Sequence, residues 1–157
     1  MPKPAPEMES IKWMLGNWKC NGTAAVNAMN PKEHKFTSTA KAKMDLDNFW
    51  VSIRYEEKKS KEHPMAAKVN IYWSYDGSQK KWVALMADNM GGWSSGTSPG
   101  WQGEKMEWAH DGMMPGMGKF QGRETFTKKS DRELIQKFEM NMGKGGWMTV
   151  GENVCKK

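Results

Sequence analysis

A cysteine stands near each end of this chain, Cys20 and Cys155, and short alternating segments fill the stretch between them. Gly, Asn-Gly and Asp-Gly punctuate those segments. Strands flanking the two cysteines can be bridged only if they lie side by side, and a sheet whose first and last strands meet has closed on itself. Two cysteines allow a single intramolecular pairing. A Cys20–Cys155 bridge closing so long a loop would contribute roughly 4–5 kcal/mol by the chain-entropy account. It also predicts an oxidising compartment, periplasmic or secreted. Two unrelated thiols are the alternative, because spacing alone does not determine a bridge.

The 157 residues suit one domain over 1–157, with 1–6 as an extended tail. The opening Met1-Pro2-Lys3-Pro4-Ala5-Pro6 reads as a segment of the kind that follows a removed leader. No apolar run is long enough to span a bilayer as a helix. The net charge of +6 raises nucleic acid as a partner. The lysines, however, fall in pairs such as Lys58-Lys59, Lys80-Lys81 and Lys128-Lys129, at predicted strand ends among acidic residues. That is a solvated, aggregation-resistant strand surface, and no basic block accompanies it. Nucleic-acid binding is set aside.

Pro6 to Met14 is the one helical piece, with Met8, Ile11 and Trp13 available to cover an opening. From His34 to Met44 the alternation is clean: lysines and threonines on one face, Phe36, Ser38, Ala40, Ala42 and Met44 on the other. Small residues on an inner wall leave volume, which signals a cavity. Phe49 to Lys58 carries aromatics on both faces, so its inward side is open. Further strands follow at Val69–Tyr75, Lys81–Asn89, Trp93–Ser98, Glu104–His110, Lys119–Lys128, Arg132–Met140 and Trp147–Cys155, with Asp76-Gly77-Ser78 marking a hairpin. The expected fold is all-β: a single antiparallel up-and-down barrel of about ten strands with a short N-terminal helix. A two-sheet sandwich is the runner-up.

Gly16-Asn17-Trp18 after a short helix resembles the Gly-x-Trp signature of lipocalin and related calycin barrels. The longer nitrobindin-type pattern, Gly-x-Trp-x-Gly-x-Gly, is matched at Gly16, Trp18 and Gly22, with Cys20 in place of its middle glycine. Over most of its length the chain resembles an uncharacterised bacterial family of lipocalin-like domains. The residues that carry this are Leu15-Gly16-x-Trp18, Tyr75-Asp76, Asp88-Asn89 and Arg123-Glu124. The resemblance implies a barrel able to enclose a ligand, with an arginine, here Arg123, packed beneath the signature tryptophan. It brings no established activity. Nitrobindin-like relatives hold haem through a late-strand histidine, and Trp147–Cys155 has none, which argues against haem.

Nine tryptophans are the largest departure from ordinary composition. Trp50, Trp73, Trp93 and Trp108 are candidate cavity residues, with Arg54, Arg123 and Gln136 as polar groups to orient a ligand head. Rings of this size equally serve to fill a small barrel. Fifteen methionines suggest a second reading: Met106, His110, Met113, Met114 and Met117 as a Cu(I) site. Against it, methionine is the adaptable filler of irregular cores. Gly92-Trp93-Ser94-Ser95-Gly96 matches a nucleophile elbow formally, yet no helix follows to strain the turn. Asp88, Glu56 and His110 could form an acid–base site in the barrel mouth, and no catalytic residue is assigned. The expected function is binding of a small apolar or amphipathic molecule in the barrel of an exported monomer or homodimer. Copper handling and an enzyme of the barrel mouth are the alternatives.

Overall fold

The structure, a computed structural model, describes residues 1–157. A short helix, Pro6–Met14, precedes eleven strands. These are β1 (Gly16–Ala24), β2 (His34–Asp45), β3 (Trp50–Glu57), β4 (Lys68–Asp76), β5 (Lys81–Asp88) and β6 (Trp93–Ser98), then β7 (Trp101–Gln102), β8 (Lys105–Met114), β9 (Gly118–Ser130), β10 (Glu133–Asn141) and β11 (Trp147–Lys156). Every pairing is antiparallel. β1 pairs with both β2 and β11, and β6 reaches past the two-residue β7 to pair with β8. Ten strands therefore close into a barrel and no long edge is left unpaired. The sandwich is excluded.

Cys20 and Cys155 are direct cross-strand partners on β1 and β11 and are joined by a disulfide. The bridge covalently locks the seam where the two ends of the chain meet. An intramolecular disulfide fits an oxidising compartment. No helix is long and apolar enough to cross a membrane.

The helix is a 3-10 helix, and its geometry explains its side chains. With three residues per turn, positions i, i+3 and i+6 stand in one row. Met8, Ile11 and Met14 form that row and are all buried across one end of the barrel. Trp13, expected with Met8 and Ile11 over the opening, is half-buried beside this row and lies against Trp101, ring centroids 5.5 Å apart. The signature residue Trp18 donates its indole N–H to Met14 O at 2.8 Å. Arg123 does not pack beneath it. The cation over Trp18 is the Lys157 ammonium, 5.1 Å from the ring centroid, which also donates to Trp13 O at 2.6 Å.

Register settles the open question of β3. Directly opposed residues share a face, and Met44, Ala42 and Ala40 oppose Val51, Ile53 and Tyr55. The small face of β2 points inward, so these three do too. Trp50, Ser52, Arg54 and Glu56 are left on the outer wall.

Candidate functional site

The interior has two unlike halves. Near the helix, Trp18, Val51, Trp82, Met106, Leu134 and the disulfide are all buried and fill the barrel. Trp73 on β4 and Trp108 on β8, separated by two strands around the wall, meet ring to ring at 4.8 Å. They form a floor. Beyond it Ser94, His110 and Met140 are still buried, but Phe36, Met86, Phe120, Phe138 and Met148 are only half-buried. The open half is thus a cup whose mouth faces away from the helix.

Glycines flatten the wall of this cup. A Cβ at Gly22 would collide with the Phe36 ring and with Asn153, one at Gly96 with the His110 imidazole, and one at Gly112 with Phe120. Rings laid on glycine stay near the wall and need not project across the lumen.

A polar chain crosses the floor of the cup. Glu124 Oε2 accepts from Gln136 Nε2 at 2.8 Å, and Gln136 Oε1 accepts from Asn153 Nδ2 at 3.0 Å. Asn153 Nδ2 also donates to the Tyr55 hydroxyl oxygen at 3.1 Å. Tyr55 in turn donates to Glu57 Oε1 at 3.2 Å. At the mouth Glu57 Oε2 bonds His63 Nε2 at 2.7 Å, and His63 Nδ1 bonds His34 Nε2 at 2.8 Å. The chain links β9, β10, β11, β3, the connection 58–67 and β2.

Several buried polar atoms on the inner face have no partner: Trp73 Nε1, Trp108 Nε1, both His110 ring nitrogens, Glu124 Oε1 and Asn153 Oδ1. Each such group ordinarily costs about 1–3 kcal/mol. They are also close neighbours. Trp108 directly opposes Glu124, Gln136 opposes Asn153, and His110 lies two residues along β8 from Trp108. Burial pushes the Glu124 carboxyl up to about 7, while its bond from Gln136 pulls the other way. Burial brings the His110 imidazole down to about 4, with Asp111 opposing. Tyr55 is raised, by burial first and by Glu57 second. The floor therefore holds a neutral imidazole and a carboxyl that is protonated at mildly acidic pH.

The residues singled out for a ligand separate into two groups. Trp73, Trp108 and Gln136 are together on the floor of the cup. Trp50, Arg54, Trp93 and Arg123 are not there, because strand alternation turns them outward. Arg54 pairs with Glu56 and Asn70 on the outer wall, at 2.8 Å each. Arg123 pairs with Glu139 at 2.9 Å and covers the Trp147 ring at 4.5 Å.

The copper set does not converge. Met106 lies below the tryptophan floor, His110 above it, Met113 faces outward, and Met117 is on an exposed turn. Met106 and Met114 are separated by about 26 Å of extended strand. Of the acid–base trio, Glu56 faces outward with Arg54, while Asp88 caps its own turn by accepting from Met90 N and Gly92 N.

Sequence reasoning does not reach Tyr55, Glu57, His63 or Asn153 as site residues, and it reaches Glu124 only as part of the family resemblance. One signal was present: alternation through Lys119–Lys128 puts Glu124 on a face with Phe120 and Phe126.

No curated protein matches the sequence. The fold is similar to the crystal structure of Rv2717c from M. tuberculosis, with a TM-score of 0.71 and 10% identity over 99% of each chain. It is also similar to the S-type phycobiliprotein lyase CPES from Guillardia theta, with a TM-score of 0.66, 9% identity, and 95% of this chain and 90% of that one covered. At such identities the likeness is one of fold. By sequence, residues 3–157 match the family described as "Protein of unknown function (DUF1579)", and the chain belongs to that family.

Proposed function

We propose that the protein binds a small apolar or amphipathic molecule in the open half of its barrel, with the ligand's polar end against the floor. The observation that carries this is the group of unpaired buried polar atoms on Trp73, Trp108, His110, Glu124 and Asn153, gathered beneath half-buried phenylalanine and methionine side chains. Buried polar groups are nearly always paired, and a ligand that displaces the half-buried side chains covering these atoms would pair several of them at once. The head it favours is neutral, since both candidate arginines are turned away and no cation faces Glu124. The lyase whose fold this chain shares supports a small-molecule reading of the barrel without naming the molecule. The disulfide supports an exported protein, periplasmic or secreted.

Native mass spectrometry of protein purified from cells tests the reading. A retained organic mass, lost in a Trp108→Ala/Glu124→Leu variant, is the expected result. Protein of bare polypeptide mass that also fails to quench its tryptophan emission with any apolar aromatic probe would overturn it.

A further inference from the structure

Ten strands give the barrel two rims, and the methionines are divided unequally between them. Each of the five connections at the open end carries one: Met29, Met65, Met90, Met117 and Met142. The connections at the closed end carry none. Ten large apolar side chains are exposed on the whole molecule, and six belong to the open rim: Val26, Met65, Met90, Trp93, Met117 and Trp147. Met65 is 70% exposed and Trp93 57%. Scattered exposed apolar residues are ordinary. Their segregation to one end of a symmetric scaffold is not.

The connections also differ in charge: those at the closed end hold Lys80 and Arg132 against Asp47, Glu104 and Asp131. The five open-end connections hold Lys32, Lys58, Lys59, Lys61 and Lys144 against Glu33 and Glu62. Between two of these connections a depression of about 580 Å3 places Met65 and Met90 beside Lys59 and Lys68, with Glu56 and Glu57 on its strand side.

The apolar side chains form a ring of separate points, not one patch. A protein partner of standard size requires a continuous apolar centre inside a polar rim. A lipid surface does not. There, indoles rest at headgroup level, thioethers enter the acyl boundary, and ammonium groups meet lipid phosphates. We infer that the open end of the barrel docks on an anionic bilayer surface, with its five connections seated at the headgroup level. Docking turns the mouth of the cup toward the phase in which an apolar molecule is dissolved. It does not depend on the interior holding a ligand, and the vesicle measurement below stands apart from the ligand measurement above.

The test is co-sedimentation of the full chain with vesicles of phosphatidylglycerol and phosphatidylcholine, against phosphatidylcholine alone. The anionic vesicles should retain the protein at least about tenfold better, and 0.5 M salt should remove most of the difference. A Met65→Glu/Met90→Glu/Met117→Glu variant should bind the anionic vesicles about tenfold more weakly. Lys58→Glu/Lys59→Glu/Lys61→Glu should do the same by the other half of the interaction. All six positions are exposed, and urea midpoints matching the unmodified protein establish that the variants fold. Brominated lipid should quench part of the emission, and Trp93→Phe/Trp147→Phe should remove that part. Equal retention of the methionine variant, or no retention by anionic vesicles, overturns the inference. Concentration-dependent self-association that the methionine variant abolishes, without vesicle binding, assigns the rim instead to a second copy of the chain.

Discussion

The His110 imidazole lies directly on Gly96, the residue opposite it on the neighbouring strand, so closely that a methyl group there would collide with Nδ1. Two strands of the inner wall are thereby fitted to one ring. Gly96→Ala should push the imidazole into the lumen or off its rotamer. Expected losses are about 1–3 kcal/mol of stability by urea unfolding and most of the binding of any interior ligand. A midpoint unchanged within error would show that His110 moves freely and that the floor is not preorganised.

Glu124 and His110 should oppose one another in the pH dependence of stability. Glu124 is raised from 4.5 to about 7, so the folded state holds the extra proton and stability falls as pH rises through that window. His110 is lowered from 6.5 to about 4, so the unfolded state holds the extra proton and stability rises with pH through its window. The two contributions oppose one another between pH 4 and 7. Glu124→Gln should expose the rising slope and His110→Gln the falling one. Urea midpoints at pH 4, 5.5 and 7 check both, and parallel profiles for the two variants would reject the assignment.

Reducing the Cys20–Cys155 bridge frees a loop with a sequence separation of 135. The chain-entropy account assigns about 5 kcal/mol to it, reduced by any strain. The urea midpoint should drop sharply in reductant, and Cys20→Ala/Cys155→Ala should match the reduced protein. Intact mass without reductant should be two hydrogens lighter than with it. Equal masses would mean that the seam is held by its ladder alone.

Arg54→Ala and Arg123→Ala should leave interior binding unchanged and move the urea midpoint little, since both pair on the outer wall. Retained organic mass after purification is the readout for binding. A loss of ligand in either variant would place part of the site outside the barrel.

Much of the architecture was legible because it rests on local rules. Alternation from His34 to Met44 marked a strand with one small apolar face, Asp76-Gly77 marked a turn, and Pro6–Met14 marked the lone helix. The site was far less legible. Arg54 and Trp50 were plausible cavity residues because β3 carries large side chains on both faces. Only pairing to β2 turned Val51, Ile53 and Tyr55 inward. Arg123 was expected under Trp18 by analogy, but it faces outward from β9, and Lys157 arrives from the chain terminus to cover that ring.

By itself, the sequence determined strand periodicity, turn positions and the two cysteines able to weld first strand to last, all of which depend on neighbours a few residues apart. Tertiary structure decided which face of each strand looks inward, because a one-residue change of register reverses every side chain. It also decided that Tyr55, Glu124 and Asn153, far apart along the chain, share one hydrogen-bonded floor through Gln136. Closure of the barrel brings such distant residues together, and no local pattern encodes the geometry of that closure.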